Sequence, residues 1–202
     1  TITPNPRTGD GSLTVVDNTG QADYSGSDND ADPGEFAVRR VKIGGPYTIA
    51  ETTPPDGYIG TSVTYDVTIP ADMEAPHVFV VPAGTFVNSL GSIRWVKNGP
   101  DGATLLGGAT FSVSPDPRDG TGTLSVTDND ANDADKDNGE FRIADARTGT
   151  YTVTETAAPT GYILDAAPAQ VTVSANAPDP QIAAGTFVNH LGKIRWVKYG
   201  PD

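Results

Sequence analysis

A block in the middle of the chain returns near its end. Gly84-Thr85-Phe86-Val87-Asn88, Leu90-Gly91 and Ile93-Arg94-Trp95-Val96-Lys97 recur as Gly185-Thr186-Phe187-Val188-Asn189, Leu191-Gly192 and Ile194-Arg195-Trp196-Val197-Lys198, an offset of 101 residues from Asn88 to Asn189. Upstream, Tyr47-Thr48-Ile49-Ala50-Glu51-Thr52 with Pro55, Gly57 and Tyr58 matches Tyr151-Thr152-Val153-Thr154-Glu155-Thr156 with Pro159, Gly161 and Tyr162. Gly34-Glu35-Phe36 matches Gly139-Glu140-Phe141, and Pro4 to Arg7 matches Pro115 to Arg118. A repeat near domain length decides the architecture before any local assignment, and 202 residues suit two domains of ordinary size. The segment from Ile93 to Phe111 has a counterpart at Ile194 to Asp202 and none before Thr1. The expected organisation is therefore a first repeat over 1–91 lacking its opening strand, a complete second repeat over 92–190, and the opening strand of a following repeat over 191–202. Such boundaries suit two repeats cut from a longer array, or a filament subunit whose boundaries fall mid-repeat.

Each unit reads as β structure. The 23 Gly and 17 Pro punctuate short runs rich in Thr, Val and Ile, and no stretch carries helical periodicity. In the second copy strands are expected at about 92–97, 110–114, 122–127, 140–145, 150–156, 169–174 and 186–189. Seven short strands with Gly, Pro and Asp turns over about 100 residues suggest a β-sandwich. The fold class is thus all-β, with tandem Ig-like sandwiches arranged end to end.

The formal charge of -13, from 26 acidic and 13 basic residues, argues against a nucleic-acid partner, since nothing could neutralise a run of phosphates. It argues equally against an anionic membrane surface. No run approaches the roughly 18 apolar residues of a transmembrane helix, and no charged-then-apolar signal segment opens the chain. The sequence is expected to be a soluble fragment without membrane insertion. Cysteine is absent, which removes disulfides, thiol chemistry and thiolate metal sites. The two histidines, His77 and His190, sit in unlike surroundings, against a histidine triad or zinc site.

Side chains two apart on a strand share a face and should share a character. Three strands break that rule. Ile93 and Trp95 are in phase with Lys97, Tyr151 and Val153 with Glu155, and Phe187 with Asn189. In the first copy Tyr47 and Ile49 lead to Glu51, and Phe86 leads to Asn88. An isolated lysine in an apolar interior costs several kcal/mol, so it must pair, lose its proton or stay near the rim. With burial lowering the lysine pKa and raising that of a glutamate, a neutral amine would stand beside a protonated acid. The acid could polarise an asparagine carboxamide, the amine attack its carbonyl carbon, and ammonia leave. The competing reading puts Lys97, Glu155 and Asn189 at exposed strand ends, with a solvated ion pair worth about 0 to 1 kcal/mol.

Lys97, the run Leu106-Gly107-Gly108-Ala109-Thr110-Phe111, Gly139-Glu140-Phe141, and Gly149-Thr150-Tyr151-Thr152-Val153-Thr154-Glu155-Thr156 with Pro159, Gly161 and Tyr162, followed by Phe187-Val188-Asn189, carry a resemblance. They resemble the Cna-B type, or SpaA-type pilin, domain of Gram-positive surface proteins, over nearly all of both units. The resemblance implies an isopeptide bond between Lys97 and Asn189 with Glu155 as its catalyst, and a half-site of Asn88 and Glu51 in the first repeat. It also implies an extracellular, cell-surface or wall-anchored setting reached through parts outside this sequence. Two departures stand out: there is no sortase signal or clear pilin lysine motif, and the first repeat has no lysine at the first-strand position.

Lys198 is therefore a candidate intermolecular lysine. The tail Ile194 to Lys198 of one chain could complete the open sandwich of another by strand addition, bringing Lys198 to Asn88. Alternatively, the tail is an unpaired end of a truncated array. Both copies also carry Asp-x-Asp-x-Asp-x-Gly-Glu loops, at Asp28, Asp30 and Asp32 and at Asp133, Asp135 and Asp137. Alternating carboxylates suit calcium, but the glycine sits one place late for an EF-hand and Ala144 occupies the twelfth place, so an Asp-rich solvated turn is the commoner explanation. No cofactor is required. Trp95 and Trp196 are expected in the core rather than stacked on sugars. The expected function is a stalk repeat stiffened by autocatalytic Lys-Asn bonds, its partners being neighbouring repeats or copies of the same protein. The alternative is an adhesin module gripping a host protein or glycan, with the host ligand unknown. A conventional enzyme ranks third for want of a recurring nucleophile and histidine pair.

Overall fold

Short Thr- and Val-rich runs between Gly and Pro turns become strands, and among the described residues there is no helix. The computed structural model describes residues 1–17, 27–71, 81–177 and 181–200, so His77, Pro201 and Asp202 lie outside the described residues. The strands are β1 (Ile2–Thr3), β2 (Gly44–Ala50), β3 (Thr64–Ile69), β4 (Gly91–Asn98), β5 (Thr110–Ser114), β6 (Leu124–Thr127), β7 (Glu140–Ala146), β8 (Gly149–Ala157), β9 (Ala169–Val173) and β10 (Gln181–Val188). The chain divides into two compact units, one of Thr1–Pro54 with Gly60–Val87 and the other of Pro55–Ile59 with Asn88–Asp202.

The second unit holds two sheets, of order β10-β4-β7 and β6-β5-β8-β9. Every pairing in them is antiparallel except β10 with β4, which is parallel and runs from Gln181 opposite Ser92 to Val188 opposite Asn98. Alternation assigns the inner faces: Ile93 and Trp95 from β4, Phe141 and Ile143 from β7, Phe111 and Val113 from β5, and Tyr151 and Val153 from β8 meet in one core. Trp95 stacks on Phe141 at 5.2 Å, while Phe111 of the opposite sheet meets Trp95, Phe141 and Phe187 edge-on at 5.4, 4.9 and 4.9 Å. Burying each such side chain contributes about 1.5 to 3 kcal/mol, and the four rings clamp the two sheets together.

Two strand limits differ from expectation for local reasons. Gly122 has a φ of 65°, a left-handed turn conformation, so β6 starts at Leu124. β10 begins at Gln181 rather than 186, because the parallel partner β4 offers backbone groups from Ser92 onward, with a register shift between Ala183 and Gly185.

The described residues of the first unit form one sheet, of order β1-β2-β3, matching β5, β8 and β9 in sequence and pairing. Ile2, Tyr47 and Val67 are buried on it. Among the described residues, those corresponding to β7 and β10 form no strand. The reason is topological: β4 is the middle strand of its sheet, the sole partner of both β7 and β10, and no described segment of the first unit supplies a counterpart.

Candidate functional site

Three polar side chains end up inside the second unit's core. Lys97, Glu155 and Asn189 have 0%, 1% and 0% of their surface exposed. The exposed ion pair considered as the competing reading is thereby corrected: strand alternation turns all three side chains inward. Lys97 continues the buried series Ile93, Trp95 along β4, and Glu155 continues Tyr151, Val153 along β8. The parallel register sets Phe187 opposite Lys97, so Asn189 follows just past the end of β10, and its backbone N–H donates to the Asn98 carbonyl at 3.0 Å.

The three groups touch. Lys97 Nζ lies 3.7 Å from Glu155 Oε1, and Asn189 Nδ2 donates to Glu155 Oε2 at 2.7 Å. Lys97 Nζ, Glu155 Oε1 and Asn189 Oδ1 have no hydrogen-bond partner. Burial pushes the Lys97 amine below its ordinary value, against the opposing pull of Glu155 and of Asp165. An amine whose charged form burial disfavours, a carboxyl group and a carboxamide thus converge in a water-poor space, a set whose chemistry suits acyl transfer from the amide to the amine.

Asp165 is a participant that the strand pattern did not reveal. Its backbone N–H donates to Glu155 Oε2 at 3.3 Å, while Ile163 N–H two residues earlier donates to the His190 carbonyl at 2.8 Å. The loop therefore grips the glutamate and the residue after Asn189 together. Asn98 is buried as well, its Nδ2 donating to the Gly102 carbonyl at 2.7 Å.

The remaining expected residues lie elsewhere. Glu51 follows β2 in the first unit and accepts from Thr61 N–H at 3.1 Å, as Glu155 accepts from Asp165. Asn88 is half-buried and belongs to the second unit. Lys198 is exposed and outside any strand. Trp95 is in the core, but Trp196 is 83% exposed, which corrects the expectation for that residue: the segment around it has no sheet to join.

In the acidic loops the first aspartate of each triplet is turned inward to hold the backbone. Asp28 Oδ1 accepts from Asp30 and Ala37 N–H, and Asp133 accepts from Asn129, Asp135 and Arg142 N–H. The outer carboxylates gather instead as Asp30, Asp32 and Glu35 and as Asp135, Asp137 and Glu140, each set within 4.8 Å. Turn-making accounts for the inward placement of Asp28 and Asp133.

Residues 91–186 match the family model described as SpaA, prealbumin-like fold domain. No curated protein matches the chain. Among solved structures, the chain is similar to the Bacillus anthracis TIE protein, at 18% identity over 72% of this chain and 24% of that one, with a TM-score of 0.46. It is similar to the pilus adhesin RrgA from Streptococcus pneumoniae at 32% identity over 44% of this chain and 10% of that one, TM-score 0.34. The open conformation of the pilus adhesin SpaC from Lactobacillus rhamnosus GG matches at 17% identity over 78% of this chain and 26% of that one, TM-score 0.43. The chain thus spans about a quarter or less of each of these three proteins.

Proposed function

We propose, from the premise that residues 91–186 are a SpaA prealbumin-like domain, that this chain is a structural repeat of a Gram-positive surface stalk or pilus, stiffened by an isopeptide bond between Lys97 and Asn189. The observation that carries this reading is the fully buried contact set of Lys97, Glu155 and Asn189, at 3.7 and 2.7 Å about one carboxyl group. Lys97 gives a proton to Glu155 and attacks Asn189 Cγ as a neutral amine. The Nζ–Cγ bond forms, the Cγ–Nδ2 bond breaks, and ammonia departs after Nδ2 takes a proton from Glu155. The second proton that Nζ sheds returns to Glu155. The event happens once per domain, without turnover.

The product is a neutral amide, so it removes the burial penalty of the lysine charge. Its position also suits a mechanical role. β4 and β10 run parallel, so tension applied to the start of β4 and the end of β10 shears their ladder. A bond from Lys97 to Asn189 carries that tension past residues 98–188, which stay folded inside a closed covalent loop. The finer part of the reading is that copies join head to tail, with the 194–198 segment adding as a first strand to the open first unit of another copy and Lys198 reaching Asn88. Support comes from exposed apolar side chains on both sides: Ile194 and Trp196 at 86% and 83%, and Phe36 at 58%.

Intact mass of the purified chain tests both parts. A deficit of one ammonia that disappears in Lys97→Ala and Glu155→Ala supports the internal bond, and covalent oligomers lost in Lys198→Ala support the junction. An unmodified monomer mass would sink the isopeptide reading.

A further inference from the structure

The same loop occurs twice in this chain, once covered and once bare. Pro55–Ile59 and 159–163 match at Pro, Gly, Tyr and Ile. Their backbones agree: Gly57 and Gly161 have φ of 90° and 91°, Tyr58 and Tyr162 each donate N–H to the proline carbonyl three residues back at 3.1 Å, and Ile59 and Ile163 donate to the carbonyls of Ser89 and His190 at 2.8 Å. Yet Ile59 is 4% exposed and Ile163 is 54% exposed.

Within the second unit, Ile59 joins the hydrophobic core, and the turn between β7 and β8 lies against the loop just before it. Arg147 Nη2 donates to the Asp56 carbonyl at 3.0 Å, and Thr148 N–H donates to the Gly57 carbonyl at 3.0 Å. The guanidinium lies so close that a Cβ on Gly57 would sit 2.4 Å from Nη2. A glycine is needed there both for its positive φ and for this approach. Around Gly161 nothing lies within 4 Å of where a Cβ would be.

The chain carries a second turn at the matching place, one residue longer through the Gly44-Gly45 pair. Lys42 in the first unit stands where Arg147 stands in the second, and the carbonyl of each accepts from the hydroxyl of the matching tyrosine, Tyr47 at 3.0 Å and Tyr151 at 2.7 Å. Lys42 is exposed, and Ile43 beside it is 62% exposed. We infer that loop 159–163 is a docking surface for the Lys42 turn of a second copy of this chain. There Lys42 Nζ takes the Thr160 carbonyl, Ile43 N–H takes the Gly161 carbonyl, and Ile163 is covered as Ile59 already is. Lys42 Nζ at present donates to the exposed Thr8 carbonyl at 2.5 Å, and one exposed neutral acceptor replaces another at little cost. The inference deepens the head-to-tail part of the proposed function and rests on it for the choice of partner. It adds a second anchor to strand addition, because in the covered example the chain runs from the loop contact at Ser89 into β4, as it runs from His190 into the 194–198 segment.

Sedimentation velocity of the Lys198→Ala chain over a wide concentration range tests this without covalent linkage. The expected result is reversible association weakened about tenfold or more by Ile163→Asp and by Lys42→Glu, with full strength kept in Lys42→Arg. Both altered side chains are exposed, so an unchanged melting temperature and monomer mass should accompany the loss. Absence of association at every concentration would overturn the inference, as would association indifferent to Ile163→Asp and Lys42→Glu. Indifference to those two with loss in Trp196→Ala would leave strand addition standing and remove this surface. Weakening by Ile163→Asp and Lys42→Glu with none in Trp196→Ala would keep the surface and remove strand addition.

Discussion

Phe36 and Phe141 occupy the same place in the two repeats, yet one is 58% exposed and the other 1%. Tyr47 and Tyr151, also matched, are both buried, at 7% and 2%. The difference separates the two sheets of the sandwich. One sheet forms in either unit because its strands pair among themselves, as β1-β2-β3 or as β5-β8-β9. The other depends wholly on β4, which lies between β7 and β10 and brings Trp95 and Lys97 with it. The first strand therefore closes the sandwich and brings the buried Lys97 with it; on the proposed function, a unit without that strand has no amine to react.

The largest way to break this comparison is to remove the ring that β4 contributes. Trp95→Ala should destabilise the second unit by about 3 to 5 kcal/mol, read by urea unfolding followed by circular dichroism, and should leave part of the purified protein without ammonia loss. Unchanged stability would mean that β4 does not close this unit. Next in size is Asn189→Ala, which forbids the cross-link while keeping β4 in place. A loss of about 2 to 4 kcal/mol is expected, by analogy with other covalent closures of long loops. The same variant should show a pH dependence that the parent lacks. The amine of folded Lys97 lies below its ordinary 10.5, so between those values the unfolded chain binds more protons. Stability of Asn189→Ala should thus gain a component that rises with pH up to about 10.5, whereas an amide at Lys97 does not titrate and the parent should lack that rise. The smallest effect sharpens the comparison of the two loops. Arg147→Ala should cost about 1 kcal/mol and speed hydrogen exchange at Tyr58 and Ile59 while leaving Tyr162 and Ile163 unchanged.

Much of this was readable from side-chain alternation. Ile93, Trp95 and Lys97 sit two apart, as do Tyr151, Val153 and Glu155, and a strand leaves such residues no choice but one face. The sandwich and its seven strands followed from the same period and from the Gly and Pro turns. Alternation says nothing about which strands become neighbours, so the parallel pairing of β10 with β4, and with it the early start at Gln181, was not readable. Nor was Asp165, whose contribution is a backbone N–H on a loop without periodicity. Trp196 misled because its phase matches Trp95 while its burial depends on a sheet that its own segment does not contain.

Peptide mapping is the most direct test of the central claim. Trypsin cuts after Arg94, Arg118, Arg147 and Lys193, and an acylated Lys97 resists it. A branched species joining residues 95–118 to residues 148–193, lighter than their sum by one ammonia, is the expected result. Release of Trp95-Val96-Lys97 as a free peptide, with residues 148–193 at their unmodified mass, would contradict it.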